Sequence, residues 1–343
     1  MLAQDGIAAA VGLWRVKAGF GAARVVAAAV AGLMVTVTSA SVSWAAPVAY
    51  PIKYGTNVIG WGWDEEGQSS VPASLVSKLV YAISAGYLHS LALASDGTIT
   101  GWGDNSYGQL NVPASLAGKT VTAIQAGEYD SMALTANGTV TAWGLNDRGQ
   151  DNVPASLAGK KVTAISSGHQ YSMALTADGT VTAWGDNYYG QLNVPASLAG
   201  KTVTRIAGGA THALALTSDG TITAWGDNTE GELNVPASLA GKRVTAISAG
   251  CSHSLALTSD GRVTAWGDNS DGQLNIPASL AGKTVTAIST SCWHSLALAS
   301  DGTVTGWGLN SYGEATVPAV VGTSAIQISA GPFDSLVTLR VLP

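Results

Sequence analysis

Charged side chains are scarce in this sequence. Asp, Glu, Lys and Arg make up 11% of its residues, whereas ordinary soluble proteins contain roughly 25%. The formal net charge is −6, and no run of basic residues occurs after the first 46 residues. The electrostatic attraction that holds a protein on nucleic acid or on an anionic membrane surface is therefore missing, which argues against both as main partners.

Catalytic patterns are missing as well. No Ser/His/Asp set, carboxylate pair or phosphate-binding loop stands out from the sequence, although the corresponding reactions depend on such groups. We therefore expect a protein that is not an enzyme and that carries no cofactor.

Cysteine is nearly absent, since Cys251 and Cys292 are the two cysteines of the chain. They are 41 residues apart. An exported protein would allow them to form a disulfide, and the alternative is two free, partly buried thiols. The sequence leaves both open, because a disulfide depends on how close the two backbones lie.

The first 46 residues differ from the rest. Arg15, Lys17 and Arg24 precede an apolar run over 25–37, and small residues follow it. This order is typical of a secretory signal peptide. The alternative is an uncleaved anchor, because the weakly charged stretch 25–46 is just long enough to cross a bilayer. Both interpretations predict that the second domain, residues 47–343, is secreted or lies at the cell surface.

A repeat of 41 residues organises the remainder of the chain. Seven tryptophans keep this spacing: Trp61, Trp102, Trp143, Trp184, Trp225, Trp266 and Trp307. A period near 40 residues is typical of propellers and solenoids. Burial of one Trp contributes roughly 4–6 kcal/mol before entropic costs, so we interpret these side chains as structural.

Each unit can be divided into four strands. In one unit we predict strands over 121–126, 131–135 and 139–144 and a short edge strand over 151–153. Asn137 and Gly138, between the second and third strands, predict a type I′ turn.

The two ends of the chain are complementary. The last unit stops after its second strand, near residue 340, whereas residues 57–62 form a third strand without predecessors. Together they complete one blade. The sequence therefore predicts an all-β fold, a seven-bladed β-propeller of 41-residue repeats closed by both ends of the chain.

The repeated residues resemble a known family. Residues 247–257, ISAGCSHSLAL, and residues 83–93 are similar to the signature of the regulator of chromosome condensation (RCC1) repeat, and Trp-Gly-Asp-Asn with a following Gln completes the similarity. The resemblance covers residues 57–340 and implies a seven-bladed propeller.

Members of this family differ in function. The eukaryotic founder of the family is a guanine nucleotide exchange factor that also binds nucleosomes, but its wedge insertion and basic tail have no counterpart here, so we do not expect exchange activity. A closer resemblance, through the Val-Pro-Ala pattern that follows the Gln, is to secreted bacterial members that inhibit β-lactamases. It implies a bacterial binding protein and leaves the target open.

Two short windows vary among the units, one after the first strand and one after the third. In an antiparallel blade both windows open on the same face, and loops on a rigid scaffold commonly carry recognition. Aromatic side chains with dispersed charges are typical of protein-binding hot spots. Neutral drift of surface loops is the alternative. The predicted partner-binding residues are Glu66, Tyr87, Tyr107, Glu128, Tyr129, Arg148, His169, Gln170, Tyr188, Tyr189, Glu230, Asp271, Trp293, Tyr312 and Phe333.

Four histidines share one position of the first window: His89, His212, His253 and His294. Together with the cysteines they raise the idea of a zinc site. Asp or Tyr occupies this position in the other blades, so a polar side chain that fixes a tight turn explains all seven. The spacing between blades is also expected to be too wide for four short bonds to one ion, and we expect no bound metal.

We therefore expect an exported, monomeric and non-enzymatic scaffold that binds an extracellular or surface protein. One alternative is an enzyme inhibitor of the β-lactamase-inhibitor type. Another is an adhesive or glycan-binding module at the cell surface.

Overall fold

Residues 58–340 are described by the structure, a computed structural model. The predicted signal peptide or anchor over residues 1–46 lies outside these residues. The described chain forms seven antiparallel sheets of three strands each, and each sheet is called a blade below. Within residues 58–340 no helix has the length and apolar character needed to cross a membrane.

The strands follow the 41-residue repeat. They are β1 (Val58–Gly62), β2 (Val80–Ala85), β3 (His89–Ala94), β4 (Ile99–Gly103), β5 (Val121–Ala126), β6 (Asp130–Thr135), β7 (Val140–Gly144), β8 (Val162–Ser167), β9 (Tyr171–Thr176), β10 (Val181–Gly185), β11 (Val203–Gly208), β12 (His212–Thr217), β13 (Ile222–Gly226), β14 (Val244–Ala249), β15 (His253–Thr258), β16 (Val263–Gly267), β17 (Val285–Thr290), β18 (His294–Ala299), β19 (Val304–Gly308), β20 (Ala325–Ala330) and β21 (Asp334–Leu339).

The first blade joins both ends of the described chain. Strand β1 pairs with β21, with Trp61 opposite Ser335, and β21 pairs with β20. Blades two to seven take three consecutive strands each, from β2–β4 to β17–β19. The predicted seven-bladed propeller, closed by a blade that both ends share, is confirmed.

The predicted fourth strand was wrong. Residues 151–153 form local turns instead, because Asn152 N–H donates to Gly149 O and Val153 N–H donates to Asp151 O. Pro154 then begins a short 3-10 helix. The equivalent helices are Ala73–Leu75, Ala114–Leu116, Ala155–Leu157, Ala196–Leu198, Ala237–Leu239, Ala278–Leu280 and Ala319–Val321.

The hairpin turn also differs from the prediction. A type I′ turn needs positive φ at both central residues, but only Gly138 has it, at 87°. Gly138 N–H donates to Thr135 O, and the Asn137 side-chain oxygen accepts the N–H of Thr139 at 3.1 Å. The loop is therefore a three-residue hairpin in which the Asn side chain fixes the turn and Gly ends it.

The first strands of all seven blades surround a central channel with a volume of about 320 Å³. Serine hydroxyls in these strands link neighbouring blades. Ser329 Oγ accepts the N–H of Ala85, and Ser84 Oγ accepts the N–H of Ala126, both at 2.9 Å. The channel wall is therefore polar and held together by bonds between blades.

Each of the seven repeated tryptophans is buried, at 2–7% exposure, and connects two blades. Its indole N–H donates to the main-chain carbonyl of a buried Gln or Glu in the preceding blade, at 2.7–2.9 Å. In several blades a serine of the second strand donates to the same carbonyl, as Ser131 does to Gln109 O at 2.8 Å. The structural interpretation of these residues therefore includes a specific hydrogen bond as well as apolar burial.

The four histidines of the first window also connect blades. Each Nε2 lies 2.8–3.0 Å from a serine Oγ of the following blade. Burial lowers the pKa to about 4 in His89, His212 and His253 and to about 3 in His294. The interpretation that these side chains fix their own turn was therefore incomplete, because their Nε2 contacts run between blades; His294 also contacts Ser291 in its turn.

Replacement of Trp225 by Phe should destabilise the propeller more than replacement of Trp143 by Phe. When Trp143 is replaced, the main-chain carbonyl of Gln109 still accepts the hydroxyl of Ser131. In the equivalent interface Ala213 stands in place of this serine, so the carbonyl of Gln191 has no such hydroxyl when Trp225 is replaced. An unpaired buried carbonyl costs about 1–3 kcal/mol. Urea denaturation should therefore give a free energy of unfolding about 1–2 kcal/mol lower for W225F than for W143F. Equal losses would contradict a role for this bond.

Replacement of Glu232 by Gln should stabilise the protein by about 1 kcal/mol at neutral pH. Burial, followed by nearby carboxylates that include Asp227, raises the pKa of Glu232, and the Gln at the equivalent position in blade two donates to Asp104 at 2.8 Å. The wild-type carboxyl takes up a proton as the pH falls through its raised folded-state pKa, so the advantage of E232Q should shrink toward about pH 4.

Denaturation of E232Q and wild type at each pH measures this difference in the free energy of unfolding. The contribution of the buried histidines to the pH dependence cancels, because both proteins contain them. The matched control is Gln191→Glu, which places a carboxylate against Asp186 and should destabilise at neutral pH. A gain for E232Q that does not depend on pH would contradict the electrostatic explanation.

Candidate functional site

The two variable windows of each blade lie side by side. The residue after the third strand donates its N–H to a carbonyl in the loop after the first strand, as Trp63 does to Phe333 O at 2.8 Å and Asp104 does to Leu88 O at 2.9 Å. The same bond occurs in all seven blades. Both windows therefore open at one end of the propeller, here called the variable face.

Seven residues of the variable face line the mouth of the channel, one from each blade. Neighbouring loops are hydrogen-bonded here, since Tyr87 N–H donates to Gly127 O and Cys251 N–H donates to Ser291 O. We call these residues the inner ring: Pro332, Tyr87, Glu128, His169, Ala210, Cys251 and Cys292.

A second set of seven equivalent residues follows the third strands. A buried Gln or Glu two residues later accepts the backbone N–H of each, as Gln109 does from Tyr107 at 2.9 Å. The backbone is therefore fixed while the side chains are exposed. We call these residues the outer ring: Glu66, Tyr107, Arg148, Tyr189, Glu230, Asp271 and Tyr312.

Seven aromatic rings on the variable face form one contiguous group across blades seven, one, two and three. We call this group the aromatic surface: Trp63, Tyr87, Tyr107, Tyr129, Trp293, Tyr312 and Phe333. Phe333 lies at its centre, with ring centroids 4.9 Å from Trp293 and 5.1 Å from Trp63. The group extends through Tyr87, whose centroid lies 5.4 Å from Phe333 and 5.6 Å from Tyr129.

The phenols of Tyr87 and Tyr129 remain protonated. Burial, together with the charge of Glu128, raises the pKa of Tyr129 to about 12. The same two causes, burial first, raise the pKa of Tyr87. Both side chains therefore present a neutral hydroxyl next to an apolar ring, which suits binding to a surface of mixed polarity.

The other predicted aromatic residues lie apart from this surface. Tyr188 and Tyr189 contact each other, with ring centroids 4.9 Å apart, on blade four. Tyr188 is 83% exposed, and in the described part of the chain neither ring contacts the aromatic surface. The structure therefore divides the predicted aromatic residues into one group of seven and one separate pair.

The charged residues of the outer ring do not join the aromatic surface either. Glu66, Arg148, Glu230 and Asp271 are exposed, and Arg148 makes a 3.9 Å ion pair with Asp147. Gln170, in the first window of blade four, is the one non-glycine residue with positive φ among residues 58–340, at 54°. Its carbonyl accepts the N–H of Asp186, which fixes the loop that carries His169.

Cys251 and Cys292 form a disulfide between blades six and seven, and their Cα atoms lie 4.2 Å apart. The alternative of free thiols was therefore wrong, because equivalent positions of adjacent blades come into direct contact at the narrow channel mouth. His169 reaches across the mouth, with Nε2 3.7 Å from Cys251 Sγ. His169 Nε2 and the two sulfur atoms lie within 4.8 Å of one another.

Trp63 was missing from the sequence-based set. It follows the repeated Trp61 and Gly62, where Asp stands in most other units, and this departure from the repeat was a signal that could have identified it. The contact between His169 and the cysteines had no such signal, because it links blades that are not neighbours in the chain.

Comparison with known proteins supports the architecture. The RCC1 repeat of the regulator of chromosome condensation matches residues 80–109, 121–150, 162–191, 203–232, 244–273 and 285–314. These ranges contain more than half of the 343 residues. Comparison with curated protein sequences gives no match.

Solved structures share the fold at low sequence identity. Prp20p from Saccharomyces cerevisiae is 20% identical, with a TM-score of 0.71, over 85% of this chain and 93% of that one. Human WBSCR16 is 18% identical, with a TM-score of 0.68, over 83% of this chain and 99% of that one. The ectodomain of the receptor kinase CR4 from Physcomitrella patens is 20% identical, with a TM-score of 0.61, over 78% of this chain and 73% of that one.

The repeated residues, the seven closed blades and the six family matches agree with one another. The chain belongs to the RCC1 repeat family.

Proposed function

We propose that this protein is a non-enzymatic scaffold that binds a protein partner through the aromatic surface. The contiguous group of seven rings around Phe333 is the observation that carries this proposal. Aromatic side chains dominate the binding energy of many protein interfaces, and they contribute most where they cluster.

The backbone beneath the rings supports the same function. The loop of Tyr107 is fixed by Gln109, and that of Tyr312 is fixed by Glu314, whose Oε2 accepts the Tyr312 N–H at 2.7 Å. Less conformational entropy is lost when such a rigid surface binds a partner. Yeast Prp20p, which shares the fold, binds Gsp1p and histones, so the architecture is compatible with protein recognition.

The charge around the rings suggests the chemistry of the partner. Glu128 lies on the inner ring, where its charge acts on both Tyr87 and Tyr129, and the whole chain carries a net charge of −6. We propose an extracellular or surface protein that presents apolar side chains surrounded by basic ones. Occlusion of an enzyme's active site by this face would make the protein an inhibitor.

Replacement of Trp293 by Ala should weaken partner binding by about 30-fold, which corresponds to ~2 kcal/mol at a hot spot. The matched control is the double variant Tyr188→Ala, Tyr189→Ala, which removes two exposed rings outside the aromatic surface and should leave binding unchanged. Immobilised wild type and both variants would be incubated with the extracellular and surface proteins of the source cells, and the captured proteins would be quantified by mass spectrometry.

Purified β-lactamases and a small GTPase loaded with labelled nucleotide would be tested in parallel, so that inhibition and nucleotide exchange have direct readouts. A partner lost equally from both variants, or from neither, would contradict the assignment of the aromatic surface. Acceleration of nucleotide release by the GTPase would contradict the non-enzymatic proposal.

A further inference from the structure

A group of metal-binding side chains spans the mouth of the channel. The Nε2 atom of His169 lies 3.7 Å from Cys251 Sγ and 3.9 Å from Cys292 Sγ. All three atoms lie within 4.8 Å of one another, although they belong to blades four, six and seven. Ala210, between His169 and Cys251 on the inner ring, has the smallest side chain of that ring.

We propose that reduction of the Cys251–Cys292 disulfide converts this group into a binding site for one Zn²⁺ ion. Tetrahedral zinc has Zn–S bonds of about 2.3 Å and Zn–N bonds of about 2.0–2.1 Å, which place nitrogen and sulfur ligands about 3.6 Å apart. The observed separations of 3.7 and 3.9 Å are close to this value. Two tetrahedral Zn–S bonds also require the sulfurs to lie about 3.8 Å apart, so reduction must let Cys251 and Cys292 separate from their disulfide contact, while His169 already lies beside both.

Reduction and oxidation of the two cysteines interconvert the zinc-binding and the disulfide state. A dithiol reductant transfers two electrons and two protons to the Cys251–Cys292 bond, and it is itself oxidised to a disulfide. The product is a pair of thiols, and Zn²⁺ displaces their two protons to form two Zn–S bonds. Oxidation removes both thiolates and releases the ion, so the site is controlled by the redox state.

Glu128 is placed to orient His169. Its Oε1 lies 3.9 Å from His169 Nδ1, and its Oε2 is buried without a hydrogen-bond partner in the described structure. Metal-binding histidines commonly direct the second ring nitrogen toward a carboxylate, which fixes the tautomer and strengthens the ligand. This distance is longer than a hydrogen bond, so we propose that Glu128 moves toward Nδ1 when His169 binds zinc through Nε2 and thereby acts as a positioning residue.

Three protein ligands leave a fourth position of the tetrahedron, as in zinc sites that bind water. The group lies beside the aromatic surface, because the Tyr87 ring centroid lies 6.2 Å from that of His169. The site is thus within reach of a molecule bound on the variable face. The site contains none of the four buried histidines, His89, His212, His253 and His294.

Zinc titration of the oxidised and the reduced protein tests this proposal. The protein would be reduced with a phosphine, which contains no thiol to compete for the ion; the phosphine takes oxygen from water and becomes a phosphine oxide. Competition with a chromophoric chelator should show one Zn²⁺ bound per reduced chain and none per oxidised chain. The oxidised wild type serves as a control with an unchanged sequence.

Three variants separate ligands from neighbouring residues. His169→Ala keeps the disulfide and should lower the zinc affinity of the reduced protein by at least 100-fold. Glu128→Gln should lower it by about 10–100-fold, the usual effect of a residue that orients a ligand. Ser252→Ala, adjacent to Cys251, is the matched control and should bind zinc like wild type. Circular dichroism of the oxidised proteins checks that each is folded.

Cobalt provides an independent readout of the ligands. Co²⁺ bound to the reduced wild type and to E128Q should show thiolate-to-metal charge-transfer absorption, and Cys292→Ser should weaken it. The proposal would be overturned if reduction did not increase zinc binding, or if H169A bound zinc as tightly as S252A.

Discussion

The propeller depends on one repeated contact, the hydrogen bond from each buried indole to a main-chain carbonyl of the preceding blade. The same tryptophan packs against leucines of that blade, as Trp143 does against Leu91 and Leu93. Because Trp61 makes this bond to Glu314 in the last complete repeat, the contact also closes the ring. Loss of one indole therefore weakens both the interface and the loop that supplies the carbonyl.

This contact also explains how the variable face stays rigid. The residue whose main-chain carbonyl accepts the indole N–H also holds the outer-ring backbone with its side chain. Gln109 accepts the indole N–H of Trp143 with its main-chain carbonyl and the backbone N–H of Tyr107 with its side-chain oxygen. One buried residue thus connects the core, through its main-chain carbonyl, to the exposed loop, through its side chain. The exposed residue can be Tyr, Arg, Glu or Asp while the backbone hydrogen bond stays the same, so the seven outer-ring positions carry four types of side chain on one scaffold.

Much of this architecture could be predicted from the sequence, because the repeat fixes what each equivalent residue does. The blade number, the shared first blade and the face that carries the variable windows follow from spacing alone. The fourth strand was expected by analogy with four-stranded blades, although Asp151 and Asn152 are residue types that strands disfavour. The N–H groups of Asn152 and Val153 are used by local turns instead. The grouping of Trp63, Trp293 and Phe333 and the contact of His169 with the cysteines depend on ring geometry, which no spacing along the chain reveals.

Hydrogen–deuterium exchange of the propeller, measured with and without its captured partner, tests whether a protein covers the aromatic surface. A partner bound there should slow exchange in the loops around Trp63, Tyr87, Tyr129, Trp293 and Phe333 and leave exchange unchanged in the Asn-Gly and Asp-Gly hairpins at the opposite end of the blades. Protection of those hairpins, with none around Phe333, would contradict binding at the aromatic surface.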